Sequence, residues 1–227
     1  MKQSGRMASG ARLRGLYVLA DDDRRWPHGP LAQARAACAA GAAVVQLRAK
    51  HATDRETLAL AAEIRRLTAA SGLLFFVNDR FDLALLCGAD GVHLGQEDLP
   101  PARLPAEARR RLLVGRSTHT LEQARAAREE DCDYVAFGPV FGTTSKESAY
   151  DARGLALLSQ AVALVAPRPL VAIGGIDATL ARQAAQAGAA GVAVISAVAG
   201  AADPEAAVRA LVAAVSGAGA RAVRAGV

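Results

Sequence analysis

At 227 residues, 52% apolar and 22% charged, the chain has enough hydrophobic side chains for one sizeable core and too few charges for a disordered polymer. The formal charge of +5 sits at the ends: Lys2, Arg6, Arg12 and Arg14 in residues 1–14, Arg221 and Arg224 in residues 216–227, with no acid in either stretch and −1 left for the rest. A basic nucleic-acid-binding face is therefore not indicated, and the run Arg109 to Arg111 reads as a solvated helix end favoured by the helix dipole.

Residues 1–14 read as a flexible basic leader. Gly15 to Leu19 reads as a first strand, and the apolar stretch Gly15 to Ala20 runs into Asp21, Asp22 and Asp23, too short for a signal-peptide core. A helix-like segment then ends in Ala40-Gly41-Ala42-Ala43-Val44-Val45. This signature, a small-residue turn followed by a β-branched run, recurs at Cys87-Gly88-Ala89-Asp90-Gly91-Val92 and Ala187-Gly188-Ala189-Ala190-Gly191-Val192, with a looser copy at Asp131-Cys132-Asp133-Tyr134-Val135. Glycine just past a helix accepts a left-handed cap, and the run after it reads as a strand buried on both faces. Further strands are predicted at Val44 to Arg48, Leu74 to Asn78, Gly91 to Leu94, Leu113 to Ser117, Tyr134 to Gly138, Leu170 to Ile173 and Gly191 to Ile195. Helices are predicted at Glu56 to Ala70, Leu121 to Glu130 and Leu155 to Val165, and near Pro204 to Val215. Eight alternations predict an α/β fold, a single-domain TIM (β/α)8 barrel over residues 15–215 with a flexible tail at 216–227, ahead of an open Rossmann-type sheet.

With nine aromatics in the chain, Ala, Val and Leu are expected to fill the interior. Cys38, Cys87 and Cys132 are odd in number and far apart, which suits buried thiols in a reducing compartment. Ala187 to Ala202 carries no charge but is shorter than the roughly 20 residues of a membrane span and is broken by glycines. A soluble, cytoplasmic protein is expected.

In such a barrel, chemistry gathers where strands end. Alternation along the second strand points Gln46, Arg48 and Lys50 the same way. The two cations need anionic partners and no acid is near in sequence, so either a phosphorylated ligand supplies the charge or both side chains reach solvent. The third strand ends in Asn78-Asp79-Arg80 and the fourth leads into His93-Leu94-Gly95-Gln96-Glu97-Asp98. Two carboxylates from neighbouring loops, completed by a ligand's phosphates, would suit Mg²⁺. Equally, Asp79 or Asp82 would cap the next helix and Asp98 the one beginning near Pro100. The loop Gly138 to Lys146 offers small hydroxyls, backbone N–H groups and one lysine, and Gly174-Gly175 with Ile195-Ser196 suits a phosphate cradle. His28, His51 and Trp26 read as surface or packing residues, and His93 as a satisfied interior imidazole. No G-x-S-x-G, H-E-x-x-H or P-loop occurs.

The segments Gln46-Leu47-Arg48-Ala49-Lys50, Val77-Asn78-Asp79-Arg80, Val92-His93-Leu94-Gly95-Gln96-Glu97-Asp98, Gly138-Pro139-Val140-Phe141 and Ile173-Gly174-Gly175-Ile176, in this order, resemble the thiamine phosphate synthase family from about Leu16 to Val215. The resemblance implies a transferase that condenses 4-amino-5-hydroxymethyl-2-methylpyrimidine diphosphate with 4-methyl-5-(2-hydroxyethyl)thiazole phosphate, releasing pyrophosphate. It implies that Gln46, Arg48, Lys50, Asn78, Ser117 and Lys146 hold the pyrimidine diphosphate, that Asp79 and Asp98 hold Mg²⁺, and that Thr143, Thr144, Ser145, Gly175, Ile195 and Ser196 receive the thiazole phosphate. Arg48, Lys50 and Lys146 would be the catalytic cations, stabilising charge on the departing group while a pyrimidine-methyl cation forms. The chain departs from the family at Gly142, where Pro is usual, at Ser145, where Thr is usual, and at Ala49, where an acid is usual; these changes bear on loop tightness and thiazole-phosphate contact. The rival is a thiazole tautomerase with His119 as acid–base group, which would not require the diphosphate-and-metal set. A third reading is a non-catalytic phosphate-ligand sensor. The expected partners are small-molecule substrates, with no nucleic acid and no membrane, and the sequence does not indicate an oligomer.

Overall fold

Eight parallel strands close into a barrel in chain order: β1 (Gly15–Asp21), β2 (Val44–Arg48), β3 (Leu74–Asn78), β4 (Gly91–Leu94), β5 (Leu113–Thr118), β6 (Tyr134–Phe137), β7 (Leu170–Ile173) and β8 (Gly191–Val194). Strand β8 pairs back onto β1, Gly15 opposite Gly191, which sets the open-sheet alternative aside. The helices are α1 (Pro30–Ala39), α2 (Asp54–Ser71), α3 (Phe81–Leu86), α4 (Ala106–Arg111), α5 (Leu121–Glu129), α6 (Gly154–Val165), α7 (Ala178–Gln186), α8 (Ser196–Ala199) and α9 (Pro204–Ala222). This computed structural model describes residues 12–142 and 151–222, so Thr143, Thr144, Ser145 and Lys146, and all but the last residues of the basic leader, lie outside it.

Strands β2, β3, β4 and β7 coincide with the predicted runs, while β1 continues past Leu19 to Asp21 and α9 past Val215 to Ala222. The reason the αβ junctions were readable is visible at α2. Thr53 and Glu56 form a reciprocal capping box at its start, and Gly72, at φ 72°, takes the left-handed cap at its end. A side-chain cap of this kind contributes about 0.5–2 kcal/mol. The arginine run Arg109 to Arg111 occupies the last turn of α4; Arg110 and Arg111 are exposed as expected, but Arg109 is mostly buried and pairs with Asp131, which corrects the reading of a wholly solvated run.

Two cores result from strand alternation. Outward-facing Val18, Leu47, Val77, Leu94, Val114, Val135 and Val194 pack against helix residues such as Ala34, Ile64, Ala124, Leu158 and Leu211. The interior is mostly aliphatic as expected, and the inner core adds three large rings, Tyr17, Phe76 and Tyr134, beside Leu19, Val44 and Val171. Their rings meet at 5.4 Å (Tyr17 and Tyr134) and 5.8 Å (Phe76 and Tyr134, edge to face). Gly91 and Gly115 make the room: a methyl at either would lie 2.3 Å from the ring of Phe76 or Tyr134, respectively. These residues come early in their strands, so the N-terminal half of the barrel is sealed, and the polar inward positions Asp21, Arg48, Asn78, His93 and Ser117 fall toward the C-terminal rim.

At the N-terminal rim, junction acids serve the sheet. Asp90 accepts the Phe75 N–H at 2.9 Å and Arg65 at 2.8 Å, and Asp133 accepts the Val114 N–H at 2.8 Å. The three cysteines are free thiols, and burial pushes Cys132 up to about 11. Among the described residues no helix is long and apolar enough to cross a membrane.

Candidate active site

The inward register of β1 and β2 places Asp21 beside Arg48. Arg48 Nη1 lies 2.8 Å from Asp21 Oδ2, whose side chain is wholly buried. No acid is near Arg48 in sequence, as read, but the partner is neither ligand nor solvent alone: Asp21, 27 positions earlier, reaches it across the sheet. Asp22 fixes the loop that follows β2: its carboxylate accepts the backbone N–H groups of Lys50, His51 and Ala52, each at 2.8 Å. Lys50 Nζ then reaches Asp79 Oδ2 at 2.5 Å. Gln46 is 3% exposed, and its Oε1 is a buried acceptor with no partner among the described residues. Such an acceptor costs about 1–3 kcal/mol unless something donates to it.

Asp79 follows β3 in a left-handed conformation, φ 64°, which few residues other than glycine adopt. Its backbone N–H donates to the His93 carbonyl at 2.7 Å, so β4 holds the turn. Asp98, in the loop after β4, comes within hydrogen-bonding reach of Asp79. Burial raises the Asp98 carboxyl above the usual carboxylate range and the Asp79 charge adds to this, while the Gly95 N–H and Lys50 oppose it. The capping alternative finds no support. Helix α3 starts from Arg80 without a side-chain cap, Asp82 forms a fork with Arg80 at 2.6 and 2.9 Å, and the 3₁₀ turn Pro101–Arg103 starts from Pro100 without one.

Two opposed carboxylates and a lysine, in a loop pair facing the barrel mouth, fit a hard divalent cation that takes the rest of its shell from a ligand's phosphates and water. Among the described residues no group of three or more His, Cys, Asp or Glu forms a cage of the all-protein kind.

Ser117, inward on β5, is hydrogen-bonded to His93 Nε2 at 2.8 Å, and His93 Nδ1 to the Tyr134 hydroxyl at 2.7 Å. His93 is therefore the satisfied interior imidazole expected of it, and it orients Ser117. His119 directly follows β5, its Nδ1 2.6 Å from the Gly138 carbonyl. Gly174 and Gly175 end β7 with φ 102° and 65°. The loop after β6 folds onto them, Phe141 N–H donating to the Gly174 carbonyl at 3.1 Å, and a methyl on Gly175 would meet the Gly142 carbonyl at 2.2 Å. Ile195, buried, and Ser196, exposed, stand beside them at the start of α8. Asn78 ends β3 on the inward face, half-buried. Of the residues read as bystanders, Trp26 lies under Arg25 at 5.1 Å and His28 Nε2 lies 2.9 Å from the Ala201 carbonyl.

The structure thus brings Gln46, Arg48, Lys50, Asn78, Asp79, Asp98 and Ser117 to one rim, with Gly175, Ile195 and Ser196 on the same rim across β7 and β8. Asp21, Asp22 and Tyr134 escaped the sequence reading as supports. For Asp21 the signal was present: extending β1 by one more period of two from Tyr17 and Leu19 puts it inward beside Arg48.

The sequence profile of the family described as thiamine monophosphate synthase matches residues 16–198. A thiamine-phosphate synthase of Anaeromyxobacter dehalogenans is 50% identical over 208 residues, covering 90% of this chain and 89% of that protein. One of Thermus thermophilus is 46% identical over 202 residues, 88% of this chain and 96% of the relative. The solved thiamine phosphate pyrophosphorylase of Pyrococcus furiosus superposes with a TM-score of 0.81 at 37% identity, covering 92% of this chain and 98% of its own.

Proposed function

Because the chain belongs to the thiamine monophosphate synthase family and is a transferase of that class, we propose that it joins the pyrimidine diphosphate to the thiazole phosphate by letting pyrophosphate leave first, with Asp79 and Asp98 holding Mg²⁺. The observation that carries this reading is the crowding of Asp79 against Asp98 beside Lys50. Lys50 offsets part of this charge in the free protein, and a divalent cation would neutralise both carboxylates and leave Lys50 for the substrate. Bound there, Mg²⁺ supplies Lewis-acid neutralisation of the charge that grows on the departing pyrophosphate.

The chain's own groups do the rest. Arg48 is preset by Asp21, and the further donors of its guanidinium are available to the diphosphate. Lys50, on a loop fixed by Asp22, exchanges Asp79 for a phosphate oxygen as the substrate arrives. Both cations act most strongly where the leaving oxygen is most negative, in the transition state. Gln46 Oε1, buried and unsatisfied, accepts an N–H from the pyrimidine's amino group and so sets the ring's orientation. Ser117 is aimed by His93, and Lys146 contributes the third cation from the loop after β6. The thiazole nitrogen attacks through a neutral lone pair, so no nucleophile–base pair is required. Gly175, Ile195 and Ser196, with Thr143, Thr144 and Ser145, receive the thiazole phosphate, backbone N–H groups and hydroxyls donating to it.

Mixing both substrates with Mg²⁺ is expected to release pyrophosphate in step with thiamine phosphate, and chelation by EDTA is expected to stop both. Turnover indifferent to EDTA would remove the metal, and a thiazole proton shift without pyrophosphate would instead favour the tautomerase built on His119.

A further inference from the structure

Arg116 is a buried cation that the chemistry above does not use. It is 5% exposed and lies on β5 between Gly115 and Ser117, which face the barrel. Alternation sends Arg116 the other way, into the layer where Val114 and Leu94 pack beneath the helices. An apolar side chain would suit that layer at less cost, because a buried guanidinium is unfavourable unless its partners compensate. Its partners therefore indicate its purpose. Arg116 Nε pairs with Glu130 Oε2 at 3.0 Å, just past the end of α5. Glu130 is itself anchored, its backbone carbonyl accepting from Arg168 Nη2 at 3.1 Å. The other arm of the fork, Nη1, donates to the carbonyl of Gly95, the first residue after β4.

Gly95 connects that arm to the rim. Its N–H donates to Asp98 Oδ2 at 2.6 Å, and the Asp98 N–H returns to the Gly95 carbonyl at 3.4 Å. A methyl on Gly95 would lie 3.2 Å from Asp98 Oδ2, so the loop closes on bare backbone. One residue on, Gln96 Nε2 donates to the Ser117 carbonyl at 2.5 Å and ties the loop to β5 a second time.

We propose that Arg116 is a positioning residue: paired with Glu130, it holds the Gly95 carbonyl and, through the Gly95 backbone that this anchors, the Gly95 N–H that presents the Asp98 carboxylate to Asp79 and to the divalent cation they share. This inference rests on the metal reading proposed above. A guanidinium suits the task because one planar group meets an acid in an ion pair at Nε and donates to a carbonyl from Nη1.

The test measures Mn²⁺ binding to the full-length protein, by electron paramagnetic resonance of the free ion with inorganic pyrophosphate present, beside thermal melting. The double variant Arg116→Met with Glu130→Gln removes the pair without leaving a buried charge alone. It is expected to melt near the wild-type temperature and to bind Mn²⁺ at least about tenfold more weakly, the usual size of an outer-shell effect. The apparent Mg²⁺ requirement of pyrophosphate release should rise in parallel, with the KM for thiazole phosphate unchanged. Arg116→Lys, which keeps a charge for Glu130 but gives up the fork, should fold and lose part of the same affinity. Wild-type Mn²⁺ affinity in either folded variant would overturn the positioning role. Asp98→Asn separates the two claims: if it loses Mn²⁺ while the Arg116 variants keep it, the positioning role alone falls, and if it too keeps Mn²⁺, the metal assignment falls and this role with it.

Discussion

Both rims of the barrel use aspartates to hold backbone, as Asp22 does at the C-terminal rim, but at that rim Asp79 and Asp98 also lie against one another. At the N-terminal rim each aspartate is fully employed by its neighbours: Asp90 by the Phe75 N–H and Arg65, Asp133 by the Val114 N–H. At the C-terminal rim Asp79 and Asp98 oppose one another, Asp79 is held in a left-handed turn at φ 64°, and Gln46 Oε1 has no partner among the described residues. Acids that complete a backbone stabilise the fold, whereas acids turned on one another lower its stability and lie ready for something else. The contrast separates architecture from chemistry at the level of single carboxylates.

The strongest way to break this contrast is to neutralise the upper pair. Asp79→Asn or Asp98→Asn should cut pyrophosphate release by about 10² to 10³, the cost of losing a preorganised electrostatic group. Asparagine tolerates the left-handed turn and lifts the repulsion, so the melting temperature should not fall. A variant that keeps full turnover at limiting Mg²⁺ would place the chemistry elsewhere. A smaller effect is expected below the site. Gly115→Ala drives a methyl to 2.3 Å from the Tyr134 ring and 2.5 Å from His93 Nδ1, and overpacking of this kind costs about 1–3 kcal/mol in chemical denaturation. Because His93 aims Ser117, that variant should also raise the KM for the pyrimidine diphosphate; an unchanged KM would detach Ser117 from the inner core. The smallest effect belongs to the lower rim, where Asp133→Ala should cost about 1 kcal/mol for the lost hydrogen bond and leave kcat per folded molecule unchanged. A drop in kcat there would mean that the rims are coupled.

What the sequence made legible follows from which forces act locally. Strand and helix order was readable because a glycine cap beside a β-branched run is a short-range signal, and β2, β3, β4 and β7 coincide with the predicted runs. Lateral partners were not readable. Arg48 looked as though it lacked an acid because Asp21 reaches it only once β1 and β2 pair, and Lys50 meets Asp79 only through the left-handed turn after β3. The placing of the few aromatics was not readable for a similar reason. Composition counts aromatics, but the vacant side of a glycine on the next strand decides where one fits, as Gly91 does for Phe76. Arg116 illustrates the limit most plainly, since nothing in Gly115-Arg116-Ser117 foretells that its ends meet Glu130 and Gly95.

The pairing of Phe76 with Gly91 and of Tyr134 with Gly115 makes the chamber's depth a shared property of adjacent strands. Shrinking a ring would deepen the vessel and leave a void, while enlarging a glycine would lift the floor into the ligand's space, and each error is undone only by its complement. Variation in this stratum should therefore come in matched couples, while the alanine-, valine- and leucine-rich shell outside can change one position at a time.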